Sequence, residues 1–285
     1  MLAQGGIFHT HKYIINVKSL NDTIYLVPFG DIHYGAPLCA TEKYQQFMDW
    51  GKGNPNVYYL GMGDYTDLAS ASERERLKSG LHDSTVDTLE LMYMGLLEKF
   101  ALTMEHTRGN LIGLIEGNHH YRFMDGTTST NRLCNMMDTT YLGCTSFIRL
   151  VLKLNTMETS IDLFVNHGQG GSARLAGGSM NRVQYMAEMA DADIYLMGHD
   201  HKRGVLPDTR LYLQDRKGAL TVKERQVMYA RTGSFLKCYV SGKGSYIVDT
   251  AKKPADLGGI KIGMRLRRPE RKGKRTLSVD MESIV

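Results

Sequence analysis

No run of eighteen or more apolar residues occurs in the 285-residue chain, so no segment reads as a membrane-spanning helix and no membrane partner is expected. Its first residues, Met1-Leu2-Ala3-Gln4-Gly5-Gly6, lack a charged start, an apolar core and a cleavage site. That argues against a secretory signal and makes a cytoplasmic location the expectation. Cysteine is scarce: Cys39, Cys134, Cys144 and Cys238 are scattered without a C-x-x-C pair, which argues against both a disulfide framework and a thiolate zinc site. Internal repeats, low-complexity tracts and clear linkers are missing, so one domain over residues 1–285 is expected, with a β-hairpin region over about 245–285. The glycine-rich stretch 168–178 is no Walker loop, because the lysine-serine/threonine ending is absent.

What the chain has instead is a construction repeated at strand ends. The apolar run Val57-Tyr58-Tyr59-Leu60 leads into Gly61-Met62-Gly63-Asp64-Tyr65-Thr66-Asp67. A short buried-type strand that stops at glycines and then an aspartate delivers a carboxylate to the C-terminal edge of a sheet, where open α/β folds bind ligands. Taken alone, Asp64 is as well explained by a turn or a helix cap. The same construction recurs, however. Residues 23–29 end in Gly30-Asp31-Ile32-His33, and 111–115 in Glu116-Gly117-Asn118-His119-His120. Residues 161–165 end in Asn166-His167-Gly168, and 193–197 in Gly198-His199-Asp200-His201.

In D-x-H and H-x-H, an extended tip would put residues i and i+2 on one face, presenting a carboxylate with an imidazole, or two imidazoles, to a first-row divalent metal. The oxygen and imidazole donors number seven: Asp31, His33, Asp64, Asn118, His167, His199 and His201. That is too many for one four-coordinate ion and fits two ions sharing a carboxylate. Manganese or iron suits such a mixed set, with zinc a further candidate. Neutral imidazoles are needed as ligands, so any activity should fall in acid.

The remaining pattern supplies the frame. Residues 9–17 read as a strand joined by a turn at Asn21-Asp22 to the strand at 23–29. Helices are expected at 41–50, 84–106, 131–137 and 180–189; the second has Leu89, Met92, Tyr93, Leu96, Leu97, Phe100 and Leu102 near the 3.6-residue period. A strand is expected at 146–154. Beyond residue 209 the pattern becomes strand-turn-strand: a hairpin of 210–213 with 219–222, a further strand at 226–231, then strands at 245–248, 260–266 and 276–285. The +5 net charge is local, since seven basic residues and one acid lie between Arg265 and Arg275 and the rest sums to about −1. This is as expected of a phosphate-facing patch or of a solvated turn.

Over Ile24 to about Ser234, the five motifs in their order resemble the calcineurin-like metallophosphoesterases, and Thr232-Gly233-Ser234 looks like that family's closing segment. The resemblance implies a four-layer α/β/β/α sandwich. It implies that Asp31, His33 and His201 hold one ion and Asn118, His167 and His199 the other, with Asp64 bridging. His119 would be the acid near the leaving oxygen, paired with Asp67. The expected activity is metal-assisted hydrolysis of a phosphoester. A phosphodiesterase or nuclease comes first and a phosphomonoesterase second. A non-catalytic nucleic-acid-binding subunit, of the kind found among polymerase small subunits that resemble this family, is the reading from another class.

Two positions depart from the family pattern. Phosphoprotein phosphatases have an arginine directly after the aspartate matching Asp67, where this chain has Leu68; His120 stands where Glu or Asp is usual. Candidate substrate contacts are His120, Arg122, Arg174, Arg267, Arg268, Arg271 and Lys272, with DNA or RNA as candidate polymers.

Overall fold

A computed structural model describes residues 9–67, 82–169, 175–216, 218–240, 254–268 and 278–284. Strand alternation there builds two sheets. In the first, β1 (His9–Asn16), β5 (Thr145–Leu154), β6 (Met157–Asn166), β7 (Ile194–Met197), β9 (Ala219–Thr232) and β8 (Arg203–Arg216) lie side by side in that order. The second runs β11 (Ser278–Ile284), β10 (Lys261–Arg267), β2 (Thr23–Phe29), β3 (Val57–Gly61), β4 (Leu111–Leu114).

Because side chains alternate along a strand, each sheet has two faces to cover. Ile148, Leu150, Leu163, Val165, Ile194, Leu196 and Met228 of the first sheet pack on Ile24, Leu26, Leu60, Ile112, Ile262 and Met264 of the second, forming the central core. A fully buried aliphatic side chain of this kind contributes about 1.5–3 kcal/mol. The other face of the second sheet, with Val27, Phe29, Val57 and Tyr59, packs on α1 (Thr41–Asp49), α2 (Asp83–Thr103) and α3 (Ser129–Met137) through Tyr44, Met48, Phe100, Leu133 and Met137. Phe164, Tyr195, Val227 and Tyr229 of the first sheet meet Val183 and Met186 of α4 (Ala176–Met189). The result is a four-layer α/β/β/α sandwich.

Strand direction brings the motifs together. β2, β3 and β4 are mutually parallel and end in register, with Phe29 opposite Gly61 and Gly61 opposite Leu114. β6 and β7 are likewise parallel, with Asn166 opposite Met197. All five motif loops therefore leave the same edge of the sandwich.

Two expectations need correction. The turn at Asn21-Asp22 does not close a hairpin: β1 pairs in parallel with β5, whereas β2 lies between β10 and β3 in the other sheet. β2 is buried on both faces, which requires an interior position in a sheet covered on each side. Residues 226–231 are not a further strand but the inner half of β9, continuous with 219–225 and paired with β8 throughout. The outer half is mostly exposed, Leu220 and Val222 included, and the inner half is buried, so burial changes midway along one strand. The strand expected at 245–248 lies outside the described residues.

Candidate metal centre

Backbone strain marks the site. Among the described residues, seven non-glycine residues have left-handed backbone, and five of them are Asp31 (φ 49°), His33 (51°), Asp64 (52°), His199 (70°) and His201 (57°). The other two have local explanations: Asp138 caps α3, and Asn155 sits in the β5–β6 turn. A left-handed L-residue costs about 1–2 kcal/mol, so five at one edge need surroundings that hold them. The expected extended tips are thus replaced by left-handed turns. Asp31 and His33 still reach one centre. His199 and His201 diverge, His201 joining Asp31 and His33, and His199 joining Asp64 and His167.

In the first group His33 Nε2 lies 3.3 Å from His201 Nε2, and His201 Nε2 lies 3.5 Å from Asp31 Oδ1. In the second, His167 Nε2 is 3.1 Å from Asp64 Oδ2 and 3.0 Å from Asn118 Oδ1, while His199 Nδ1 is 2.9 Å from the same Asn118 oxygen. Asp64 stands between the groups, within reach of His33 and His119 on one side and His167 and His199 on the other. Glycine makes this approach feasible. A Cβ on Gly117 would strike the Asp64 carboxylate and backbone nitrogen, and one on Gly63, at φ 95°, would come 2.5 Å from His167 Nδ1.

The donor set suits cations. His167 donates Nδ1–H to the Met62 carbonyl at 2.7 Å, which turns Nε2 toward the Asp64 and Asn118 oxygens. Asp31 Oδ1 is buried with no hydrogen-bond partner among the described residues. Asp31 and Asp64 are both buried, and the field shows what such crowding demands. Burial pushes the Asp31 carboxyl up to about 6, against the pull of His167. Burial also opposes ionisation of Asp64, but His167, His33 and His119 outweigh it and hold that carboxyl well below the usual range. Burial opposes charge on His167 too, yet Asp64 and Asp31 push its imidazole up to about 9. Unsatisfied acceptors, thiolate-free donors and a demand for positive charge fit divalent ions.

Beside the groups, Asp67 Oδ2 lies 3.0 Å from His119 Nδ1 and 3.3 Å from His33 Nδ1, while the His119 backbone donates to Asp64 Oδ1 at 2.8 Å. Burial opposes the charge on Asp67, but these imidazoles bring its carboxyl down to about 2. Asp67 therefore orients two rings at once, one in the first group and one at its flank.

The substrate-contact candidates are not brought together. His120 is half-buried, with Nδ1 2.8 Å from the Gly117 carbonyl and 3.8 Å from Glu116 Oε1, so its ring is tied to its own loop. Arg122 is exposed on the same side, its backbone bridged to Thr128. Arg267 and Arg268 are at the opposite edge. β10 runs antiparallel to β2, with Arg265 facing Thr23 at the start of β2, whose seven residues span about 20 Å before the site begins. Arg267 is paired there with Asp280. Arg174, Arg271, Lys272 and Leu68 lie outside the described residues.

Sequence reasoning missed the residues that hold the loops from behind. Ser234 Oγ donates to the Asp31 carbonyl at 2.9 Å, and the Phe235 amide donates to it at 3.0 Å. Arg231, 1 % exposed, lies on the apolar inner half of β9 beside Asp200, which is also buried. The only signals were a serine in Thr232-Gly233-Ser234 and a lone arginine in an apolar strand.

The four layers carry the five motif loops along one edge, where β2, β3, β4, β6 and β7 end. No family model and no curated protein matches the chain. Among solved structures it is similar to a conserved protein of Streptococcus pneumoniae TIGR4 described as a predicted phosphoesterase. The identity is 12 % and the TM-score 0.32, over 92 % of this chain and 99 % of that one. It is also similar to a calcineurin-like phosphoesterase of Bacillus subtilis, with 11 % identity and a TM-score of 0.32, over 92 % of this chain and 90 % of the other. No helix among the described residues is long and apolar enough to cross a membrane.

Proposed function

We propose that the chain is a phosphoester hydrolase dependent on two divalent metal ions, with a phosphodiester as its preferred substrate. The observation that carries this is the convergence of all seven candidate donors into two adjoining groups around the buried Asp64 carboxylate. Asp31, His33 and His201 would hold one ion, Asn118, His167 and His199 the other, and Asp64 both. Ions bound there supply Lewis-acid polarisation of the phosphoryl group and activation of water near neutral pH. Manganese or iron suits the donor set best, with zinc a further candidate.

The protein's own groups do the rest. His119, held by Asp67 through Nδ1 and by Asp64 through its backbone, gives the proton at Nε2 to the departing oxygen. Asp67 accepts Nδ1–H and so orients the ring, which is left as the neutral Nδ1–H form once Nε2 has given up its proton. Leu68, standing where phosphoprotein phosphatases carry arginine, supports a diester over a phosphoprotein. A nuclease draws no support from Arg267 and Arg268, which lie across the sandwich from the donors. The strain concentrated at the donors counts against a subunit that has lost catalysis.

The test is turnover of bis-(p-nitrophenyl) phosphate against p-nitrophenyl phosphate with added Mn²⁺. A higher kcat/KM on the diester is expected. Preference for the monoester would overturn the diester clause, and no turnover of either by metal-loaded protein would overturn the enzyme reading.

A further inference from the structure

Between His199 and His201 stands Asp200, whose side chain is only 1 % exposed. Its carboxylate accepts from the Lys202 amide at 3.1 Å and from the Ser179 hydroxyl, and lies 3.3 Å from Nη2 of Arg231. The Arg231 guanidinium donates Nη1–H to the Gly198 carbonyl at 2.8 Å, and Nε and Nη2 to the Ser179 carbonyl at 3.2 and 3.1 Å. One planar group thus joins the end of β7, the first turn of α4 and the middle of the H-x-H loop, from within β9.

Such a pair is a poor device for stability alone. Two charges taken out of water lose hydration that their attraction barely returns, and apolar replacements of similar volume are often tolerated. What the pair can supply is direction, because the guanidinium fork fixes several acceptors at set angles. The loop it holds needs that, since His199 and His201 both have left-handed backbone and relax unless the surroundings prevent it.

We propose that Arg231 and Asp200 are positioning residues: their buried pair holds the loop so that His199 and His201 face the two halves of the metal centre. The inference rests on the two-ion reading above and deepens it. It assigns to the charges inside β9 and the H-x-H loop a role in metal affinity rather than in folding.

The experiment compares Mn²⁺ binding by calorimetric titration in the wild type and in the Asp200→Leu/Arg231→Met double variant, with thermal unfolding of each recorded without metal. The double variant removes both charges and leaves neither stranded. It should unfold cooperatively near the wild-type temperature yet bind Mn²⁺ about 10–100-fold more weakly, the loss usual when an outer partner of a metal ligand is removed. Wild-type affinity in the folded double variant would overturn the proposal. So would loss of cooperative unfolding, which would make the pair structural cement. Failure of the wild type itself to bind Mn²⁺ would sink the two-ion reading first, a result distinct from either.

Discussion

Asp64 and His119 sit side by side but do different work, and substitution separates them. Asp64 lies within reach of His33 on one side and of His167 and His199 on the other, so Asp64→Asn is expected to abolish diester hydrolysis while circular dichroism stays native. Wild-type turnover with full Mn²⁺ dependence in that variant would contradict the bridging role. His119 also stands within 4.8 Å of the His33 and Asp64 donor atoms, but its Nδ1 is engaged by Asp67, so its loss is expected to spare metal content. His119→Ala is expected to lower kcat by about 10²–10⁴-fold on a diester with a poor leaving group, and by less on an activated p-nitrophenyl ester. If an equivalent of metal disappears as well, the residue is a ligand and not the acid. At this scale the sequence was informative because aspartate, asparagine and histidine are conspicuous after apolar strands. Arg231 was not, since one arginine in an apolar strand looks like an error of pattern until Asp200 is seen beside it.

Strand ends position these residues, and glycine sets how closely the ends approach. Gly117→Ala would drive a methyl group into Asp64, so it is expected to destabilise the protein by about 1–3 kcal/mol in urea unfolding and to weaken Mn²⁺ binding with it. An alanine variant with native stability and affinity would mean the loops yield more easily than their packing suggests. Most elements were legible because apolar alternation and the 3.6-residue period are local signals. The left-handed backbone at five donors was not. Aspartate and histidine enter that region more readily than most residues, but their spacing does not say which of them do so, and Ser234 and Arg231, which bond to the Asp31 and Gly198 carbonyls, are distant in sequence. The destination of β1 was equally hidden, because its partner β5 follows about 130 residues later.

Across the whole molecule, the sandwich separates two features that a linear reading placed in one function. The donors occupy the edge where β2, β3, β4, β6 and β7 end, whereas Arg267 and Arg268 occupy the edge where β2 begins. Arg267 is already paired with Asp280, and an exposed pair of that kind is worth no more than about 1 kcal/mol. Neutralising Arg267 and Arg268 together is therefore expected to leave hydrolysis of small diester and single-stranded nucleic acid in unchanged ratio. A selective loss on the polymer, with a shallower salt dependence, would bring the basic edge into substrate binding. The most direct check on the account is the number of ions bound. Metal-free protein is loaded with Mn²⁺, dialysed and analysed for metal per chain. Two equivalents in the wild type and at most one in Asp64→Asn are predicted, and one or none in the wild type would contradict a two-ion centre.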